Sequence, residues 1–566
     1  MLNSMRRLTR LFLGATLAAC AGHPVGGTPS PQGAYPPRDL ANRRPLTRAE
    51  ASGFTQTSSY ADVMVFIETL RQPSTDMYVT SLGRSPQGKD LPLIIMSRPL
   101  VKTPAEAKRL GRPIVLIQAN IHGGEVEGKE ALLSLLRDLK LDPYKNVIDS
   151  LVIMAVPIYN ADGNDALGPQ ARNRGAQNGP EQIGQRPNGQ NLDLNRDYIK
   201  AEAPETKAAL KLINGWDPDV LVDLHTTNGS YHGYALTWAP PLNPASRFSG
   251  PFTRDTVLPV LADALRRNRR MQTFPYGNFV SQDSVQQGWF TYDHRPRFGT
   301  NYYGLRGRIA ILSEAYSHDP FRTRIASTYA FVHDLLSLLA ANYEDVLEVG
   351  READRMTTAY ASTPNSSPLI PIRSRLTTNP LRGDVLVEDL VRDLVDTVRH
   401  EAGLRPGLRR TGRMRTVRMP IIDRFEATLD QSLPYAWVIP AAQAKLIEPL
   451  RRHGIAVEQL AERATVNARR FGIDSIARSR AFQGHQETTL GGRWSGADTV
   501  TLEAGTFVIR AGQPLGILAL VLLEPQSDDG LVTWNFLDEW IQQGGTYPVL
   551  RIIDRITAPL RGIREN

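Results

Sequence analysis

The stretch Pro113-Ile-Val-Leu-Ile-Gln-Ala-Asn-Ile-His122-Gly-Gly-Glu125 is an apolar run that ends in a histidine, two glycines and a glutamate. The run predicts a buried strand over 113–120, and the pattern after it predicts a helix that begins at about Glu125. In an open α/β sheet, side chains at the carboxyl ends of the strands line the crevice that binds ligands. The two glycines allow the backbone to turn sharply between strand and helix. We therefore predict that His122 and Glu125 face one ion in such a crevice.

Two further apolar runs also end in a chemically useful side chain. Asp219-Val-Leu-Val-Asp-Leu-His225 ends in a second histidine, and Arg306-Gly-Arg-Ile-Ala-Ile-Leu-Ser-Glu314 ends in a carboxylate. A catalytic zinc ion takes three protein ligands and leaves its fourth position for water. We predict that His122, Glu125 and His225 are those ligands. A carboxylate is costly to bury unless it meets water or a cation, so Glu314 is predicted to be the general base.

Each of these side chains also has a purely structural interpretation. His-x-x-Glu is common on surface turns, His225 fits a hydrogen-bonded histidine at a sheet edge, and Glu314 fits an ion pair with a nearby arginine. Of the ten histidines in the chain, His122 and His225 are the two that end long apolar runs. The chemical interpretation requires all four side chains to meet in one crevice.

The alternation of apolar runs with helical patterns from about 46 to 345 predicts an α/β fold. We expect a mixed, mostly parallel central sheet flanked by helices. The other predicted strands are Leu91–Ser97, Leu151–Ile158, Asp219–Leu224 and Arg308–Ser313. The predicted helices are Tyr60–Leu70, Glu125–Leu139, Pro204–Gly215, Pro259–Arg267 and Ile325–Tyr343.

A segment rich in Thr, Ser, Pro and Asn over 357–379 indicates a domain boundary. We expect a first domain over 46–350 and a C-terminal α+β domain over 351–566, which carries no chemical motif. The predicted strands of this second domain are Thr416–Ile422, Ala436–Ile439, Thr506–Arg510 and Leu515–Leu522. Its predicted helices are Pro440–Arg452 and Leu537–Gln543.

The first twenty residues predict export and a lipid anchor. Arginines precede an apolar run too short to span a bilayer permanently, and Leu17-Ala-Ala-Cys20 follows. This segment resembles the bacterial lipobox, which implies cleavage over 1–20 and lipidation of Cys20, with a plain secretory signal as the alternative. By the same resemblance, Ala21 implies the outer membrane, facing the periplasm of the bacterial envelope. Residues 21–45 are rich in Gly, Pro and Ser and predict a flexible tether.

The charge distribution argues against a nucleic-acid partner, and the cysteine content excludes an internal disulfide in the mature chain. The net charge is +8, but the basic residues are scattered among acidic ones without an aromatic-lined stripe, so we expect no nucleic-acid partner. Cys20 is the single cysteine, so the mature chain can form no internal disulfide.

Four further segments, together with the metal motif, carry a resemblance to a known family. They are Gly83-Arg-Ser-Pro-Gln-Gly-Lys89, Pro157-Ile-Tyr-Asn-Ala-Asp-Gly163, Leu192-Asp-Leu-Asn-Arg196 and Ala203-Pro-Glu-Thr206. In this order, over about 46–340, the chain resembles the zinc carboxypeptidases related to carboxypeptidase A, the funnelins. The resemblance implies that family's fold, one zinc ion per chain and a peptide substrate with a free C-terminal carboxylate.

The resemblance also implies a role for each matching residue. His122, Glu125 and His225 fall on the zinc ligands, and Glu314 falls on the general base. Asn195 and Arg196 fall on the pair that grips the substrate's terminal carboxylate, for which the planar guanidinium is well shaped. Asp193 falls on the carboxylate that orients the first histidine.

Two roles implied by the resemblance have several candidates. For the arginine that supports the oxyanion we choose Arg174, with Arg172 and Arg186 as alternatives. For the mobile tyrosine that caps the substrate we choose Tyr292, with Tyr302 and Tyr303 close by. The Gly-Gly pair in the metal motif and Ala161 in place of a proline depart from the usual pattern, which leaves the substrate preference open. Arg295 and Arg297 lie where relatives shape their specificity pocket and suggest an acidic preference.

Three functional hypotheses follow. The first is a metallocarboxypeptidase that hydrolyses the C-terminal bond of peptides in the bacterial envelope by a metal-activated water. The second keeps the zinc and acts instead on N-acyl amino acids or on cell-wall muropeptides. The third is a non-catalytic envelope lipoprotein that retains the fold, although every ligand and the base are present.

Overall fold

A computed structural model describes residues 44–71, 75–142, 144–362, 368–392 and 408–563. The predicted signal peptide, Cys20 and nearly all of the predicted tether lie outside these ranges. Within them, no helix is both long enough and apolar enough to cross a bilayer.

An eight-stranded mixed sheet forms the centre of the N-terminal part, as predicted. From edge to edge its strands are Met77–Arg84, Asp90–Met96, Val152–Val156, Ile114–Ala119, Val220–Thr226, Ile309–Ala315, Leu236–Ala239 and Thr273–Pro275. The four middle strands, from Val152–Val156 to Ile309–Ala315, run parallel to one another. Every residue of these four strands is buried, which explains why they appear in the sequence as continuous apolar runs.

Helices cover both faces of this sheet. One face carries Val115, Ile117 and Val222, which share a core with the helices Glu127–Leu141 and Phe321–Ala341. The opposite face carries Leu116 and Leu221. The remaining helices of this part are Arg48–Ala51, Tyr60–Leu70, Pro104–Leu110, Ala161–Asp165, Gln170–Asn173, Pro204–Trp216, Ser249–Phe252, Leu258–Arg269, Gly299–Leu305 and Tyr343–Ser362. Short 3-10 and π segments are Val147–Asp149, Leu194–Arg196, Thr253–Val257 and Gln282–Gln287, and two-residue strands are Gly168–Pro169, Gln182–Ile183 and Trp289–Phe290.

The C-terminal part is built mainly of antiparallel strands. They are Ile370–Leu376, Leu381–Arg392, Leu408–Ile422, Phe425–Gln431, Ala436–Ile439, Glu458–Leu460, Ala464–Arg469, Phe471–Phe482, His485–Trp494, Asp498–Leu502, Phe507–Arg510, Leu550–Ile552 and Leu560–Gly562. Helical segments are Ala441–Leu446, Ile447–Arg452 and Gly516–Leu523. Trp437 and Ile517 of this part belong to the same hydrophobic core as Leu116 and Leu221 of the central sheet, so the two parts pack as one body.

Two C-terminal predictions are wrong, and the domain boundary falls inside a helix. Leu515–Leu522 was expected as a strand, but Gly516–Leu523 is a helix that is buried all round. Its uniformly apolar sequence has no period, so pattern alone cannot distinguish a buried helix from a buried strand. Leu537–Gln543 forms turns and no helix. The predicted boundary at residue 350 lies within the helix Tyr343–Ser362.

Strands Leu381–Arg392 and Leu408–Ile422 pair antiparallel, and we call them the C-terminal hairpin. Its second strand also pairs with Trp289–Phe290 of the N-terminal part. The hairpin therefore joins the C-terminal part to a segment of the N-terminal part.

Candidate metal centre and active site

Three predicted ligands meet at the carboxyl ends of the central strands. His122 follows the strand Ile114–Ala119, Glu125 precedes the helix Glu127–Leu141, and His225 lies in Val220–Thr226. One ligand atom from each lies within 4.8 Å of the other two, and all three residues are buried. The Nδ1 atoms of both histidines lie 2.9 Å from the carboxylate oxygens of Glu125. Two imidazole nitrogens and a carboxylate in a buried cluster are the donor set that zinc takes in hydrolases.

The loop between the first two ligands is fixed by its backbone. Asn120 adopts a left-handed conformation with φ of 61°, and its side-chain amide donates to the carbonyls of His122, Gly123 and Glu125. Gly123 has no positive φ; it is required because a Cβ there would lie 2.3 Å from the carbonyl carbon of Gly163. The glycine therefore serves close packing of two chain segments, where the sequence had suggested only a sharp turn.

A carboxylate contacts the Nε2 atom of each of the two histidines. Asp193 lies 3.2 Å from Nε2 of His122, as predicted by resemblance, and Asp223 lies 2.9 Å from Nε2 of His225. A hydrogen on each Nε2 directed at a carboxylate leaves each Nδ1 with a free lone pair facing Glu125. The residues present therefore fit a zinc ion bound through the two Nδ1 atoms and Glu125.

Asp223 was missed in the sequence, although its position carries a signal. Side chains two apart in a strand point to the same face, so an aspartate two residues before His225 can reach its ring. Asp223 is fully buried and also accepts a hydrogen bond from Gln118, which in turn accepts one from Tyr198.

The carboxylate of Glu125 is kept ionised by its neighbours. Burial opposes ionisation, but Arg174 and His122 hold the pKa of Glu125 well below its usual range. Arg174 donates to Glu125 over 2.7 Å and to the carbonyl of Thr227 over 2.8 Å. Arg174 thus contacts a metal ligand directly.

Glu314 lies beside the second histidine in the neighbouring parallel strand. The strand register pairs Glu314 with His225, and Glu314 is 8% exposed. Burial raises the pKa of Glu314 to about 8, an effect that His225 opposes. Among the described residues, its Oε2 atom has no hydrogen-bond partner. Glu314 therefore faces the pocket in front of the ligands, as the general-base prediction requires.

Asn195 and Arg196 line the same pocket as the ligands and Glu314. The side-chain oxygen of Asn195 accepts a hydrogen bond from the backbone of Gly299 over 3.0 Å. The Arg196 guanidinium stacks on the ring of Phe298 at 3.7 Å from its centroid. Stacking holds the guanidinium in one plane, which suits two parallel hydrogen bonds to a carboxylate.

The structure shows which of the candidate arginines for oxyanion support, and which of the candidate tyrosines for capping the substrate, line the pocket. Arg186 lines the pocket and donates to Asp193 over 2.8 Å, whereas Arg174, our first choice, is not among the pocket-lining residues. Arg172 bonds to the neighbouring Asn173. Tyr292 lines the pocket, while Tyr302 and Tyr303 are fully buried elsewhere.

Five pocket residues were not identified in the sequence because no motif marks them. They are Asn228, Tyr276, Phe298, Thr300 and Leu312. Conversely, Arg295 and Arg297 do not line the pocket. Arg297 binds Asp529 and Glu487 of the C-terminal part, and Arg295 binds Asp293 and Glu487. The suggested acidic preference therefore loses its structural basis.

Comparisons with known proteins find similarity to zinc carboxypeptidases. The family model described as zinc carboxypeptidase matches residues 63–281, which include all three ligands. Carboxypeptidase 2 of Trichophyton tonsurans is 20% identical over 484 residues, covering 83% of this chain and 81% of its own length. Carboxypeptidase M of Mus musculus is 27% identical over 208 residues, covering 34% of this chain and 42% of its own.

Solved carboxypeptidase structures are also similar to this chain. A metallo-carboxypeptidase from Pseudomonas aeruginosa has 16% identity and a TM-score of 0.39, covering 51% of this chain and 70% of its own. The family uses one zinc ion, for which the His122, Glu125 and His225 cluster provides the donor set. Residues 63–281 therefore form a zinc carboxypeptidase domain, and the protein is a metallocarboxypeptidase.

Proposed function

We propose that this enzyme removes the C-terminal residue from peptides of the bacterial envelope, with its substrate's terminal carboxylate bound by Arg196 and Asn195. The observation that carries the proposal is that Arg196 lines the same pocket as the three ligands and Glu314. A fixed guanidinium beside a hydrolytic centre selects substrates that end in a carboxylate.

His122, Glu125 and His225 hold the zinc ion, which when bound supplies Lewis-acid activation of water and of a carbonyl group. Glu314 accepts a proton from the attacking water and later donates it to the leaving amine. Tyr292 closes the pocket around the terminal residue.

Arg186 takes the role of oxyanion support in this proposal, in place of Arg174. Arg186 is partly exposed to the pocket, with 39% of its side chain accessible, whereas that of Arg174 is 14% accessible. An arginine that faces the substrate carbonyl can donate to the oxygen on which negative charge develops. Arg174 instead positions Glu125 through its 2.7 Å contact.

The envelope location rests on the sequence of the first twenty residues and is part of the proposal. The lipobox-like Leu17-Ala-Ala-Cys20 supports a lipid anchor at Cys20 in the outer membrane. Metabolic labelling with a fatty acid should mark the wild-type chain and leave a Cys20→Ala variant unlabelled. Equal labelling of both chains would contradict the anchor.

Product analysis tests the reaction. A mixed peptide pool incubated with the purified enzyme should lose single C-terminal residues, detected by mass spectrometry, and a chelator should stop the loss. N-acyl amino acids and muropeptides belong in the same assay, because hydrolysis of these alone would replace the peptidase proposal with the amide-hydrolase alternative.

The Glu314→Gln variant distinguishes catalysis from binding. General acid–base catalysis contributes roughly 10²- to 10⁴-fold, so we expect kcat to fall by about that factor. Zinc content should stay at the wild-type level, because Glu314 is not among the three ligands. Undiminished hydrolysis by this variant would refute the assigned role.

A further inference from the structure

Two consecutive residues contact the pair of side chains that is proposed to bind the substrate's terminal carboxylate. The guanidinium of Arg196 lies 3.7 Å from the centroid of the Phe298 ring. The backbone N–H of Gly299 donates to the side-chain oxygen of Asn195 over 3.0 Å. The orientation of both side chains of the pair therefore depends on where the backbone at 298–299 lies.

The chain that leads to Phe298 takes its conformation from tertiary contacts. Residues 291–298, all of which the structure describes, belong to no helix or strand, and the helix Gly299–Leu305 begins after them. The backbone N–H of Arg297 donates to the carboxylate of Asp529 over 2.7 Å, although 232 positions separate the two residues. A buried backbone N–H needs a partner, and here the C-terminal part supplies it.

The C-terminal part also binds the side chain of Arg297. Nε and Nη2 of Arg297 donate to the fully buried carboxylate of Asp529 over 3.0 and 2.8 Å, and Nη1 donates to Glu487 over 2.6 Å. The guanidinium lies 4.5 Å from the centroid of the Trp534 ring, and the indole N–H of Trp534 donates to Asp529 over 2.9 Å. Charge-assisted hydrogen bonds and stacking together fix the guanidinium of Arg297 in one orientation.

Two neighbouring residues of the segment are held in the same way. His294 lies 2.9 Å from the carboxylate of Asp528, and Arg295 donates to Glu487 over 3.1 Å. Every residue in these contacts lies outside the region 63–281 that matches the family model. The support of the pocket segment is therefore a contact between two parts of the chain that the family match does not cover.

We propose that the C-terminal part sets the affinity of this enzyme for the terminal carboxylate of its substrate, with Asp529 and Arg297 as positioning residues. The proposal rests on the proposed carboxypeptidase function. Asp529 fixes Arg297, and the next residue, Phe298, holds the guanidinium of Arg196 in one plane. A guanidinium that can rotate loses the alignment needed for two parallel hydrogen bonds to a carboxylate. The zinc ligands and Glu314 lie on other segments, so loss of this support should weaken binding and spare the chemical step.

Steady-state kinetics on one peptide with a free C-terminal carboxylate test the proposal. Asp529→Asn keeps the shape of the side chain and removes its charge. We expect KM to rise about 5- to 30-fold, the usual effect of losing a partly desolvated cation–π contact, with kcat within about twofold of the wild type. Glu487→Gln weakens the same contact from a side chain that is 22% accessible, so its KM should also rise and decides the question if Asp529→Asn folds poorly. Zinc content should stay at one ion per chain in both variants.

A double variant tests whether Asp529 acts through the ring of Phe298. Phe298→Leu removes the ring that stacks on Arg196 and should raise KM by a similar factor. If both changes disrupt the same contact, Asp529→Asn combined with Phe298→Leu should have the KM of Phe298→Leu alone. Effects on KM that multiply in the double variant would overturn the proposed positioning role.

Glu524→Gln is the matched control. Glu524 is also a buried carboxylate of the C-terminal part, and it accepts from the indole N–H of Trp437 over 3.1 Å and pairs with Arg551 over 3.4 Å. Glu524→Gln should lower the free energy of unfolding as Asp529→Asn does, and its KM should remain that of the wild type.

Three outcomes would overturn the positioning role and leave the carboxypeptidase function standing. They are an unchanged KM in Asp529→Asn, a fall in kcat without a rise in KM in that variant, and an equal rise in KM in Glu524→Gln. Failure of the wild-type enzyme to release a C-terminal residue from any peptide would instead overturn the proposed function, and the positioning role with it.

Discussion

At the scale of single residues, the active site depends on polar groups that hold one another in place. Asp193 and Asp223 each orient one histidine, and Arg174 contacts Glu125. Such supporting contacts typically change metal affinity or activity by 10- to 100-fold when removed. Arg186 differs from them because it both supports Asp193 and faces the pocket.

We expect Arg186→Ala to lower kcat by roughly 10²- to 10³-fold, the usual cost of losing one donor to a developing oxyanion. Zinc content measured alongside should be retained, because Arg186 is not a ligand. Arg172→Ala is the control: this exposed arginine bonds to Asn173, and its removal should change kcat less than twofold. A larger loss in the Arg172 variant than in the Arg186 variant would reverse our assignment.

At the scale of elements, three of the four parallel strands place the two histidines and Glu314 at one end of the sheet. His225 and Glu314 sit side by side because their strands pair in register, and His122 follows the next strand. The turn between His122 and Glu125 depends on close backbone packing at Gly123.

A Gly123→Ala variant tests that packing. The added Cβ would lie 2.3 Å from Gly163 and 2.4 Å from the backbone of Asn164, so the loop must shift and both adjacent ligands move with it. We expect zinc stoichiometry, measured by elemental analysis, to fall well below one. Gly215→Ala has open space around it and lies within a helix, so it should keep zinc and be neutral or stabilising by up to about 1 kcal/mol. Full zinc occupancy in the Gly123 variant would refute the packing argument.

At the scale of the whole molecule, the C-terminal part holds the segment that enters the pocket. Asp529 is fully buried and accepts three hydrogen bonds from Arg297, which directly precedes the pocket residue Phe298. The catalytic pocket is therefore supported from the C-terminal side of the chain.

Asp529→Ala should be strongly destabilising because it leaves the buried guanidinium of Arg297 with one fewer partner. The expected cost is about 3–5 kcal/mol, measured by denaturant unfolding, with a parallel loss of kcat/KM. Glu539→Ala removes an exposed ion pair with Lys445 and should cost less than about 1 kcal/mol. Similar effects in the two variants would show that the buried pair has no special role.

The contact between His485 and Glu202 predicts a pH dependence of stability. These side chains lie 2.8 Å apart, and the hydrogen bond to Glu202 raises the pKa of His485. A histidine whose pKa is raised by folding makes its full contribution to stability at pH values below its unfolded-state pKa of about 6.5. This contribution is lost as the pH rises through the folded-state pKa. His485→Gln should therefore lower Tm more near pH 6 than near pH 9, through a loss of about 0.5 kcal/mol. An equal difference in Tm between the wild type and His485→Gln at both pH values would contradict a stabilising role of the ionised pair.

Glu202 sets the low-pH limit of the stability that the same contact contributes. Burial opposes ionisation of the Glu202 carboxyl group, but His485 and Lys200 lower the pKa of Glu202 from 4.5 to about 2. A carboxylate whose pKa is lowered by folding stabilises the fold at pH values above its unfolded-state pKa. This contribution to stability is lost as the pH falls through the folded-state pKa. The contribution of the pair is therefore greatest between these two limits.

The catalytic half could be predicted from local pattern because its signals are local. The helix Tyr60–Leu70 and the central strands follow directly from apolar runs and capping residues. The C-terminal part was harder to predict, because its strands are short or polar on one side and Gly516–Leu523 has no period. Residues such as Asn228 and Tyr276 belong to no motif, and only their position in the fold places them in the pocket.

The sequence by itself predicted the ligand set and the base, because each of these residues stands at or just after the end of an apolar run, and its resemblance to a known family predicted the carboxylate-binding pair. Only the tertiary structure decided that Arg186 and not Arg174 lines the pocket, and that Arg297 is bound by Asp529. These depend on contacts between residues separated by tens to hundreds of positions, and such contacts leave no periodic trace in the chain.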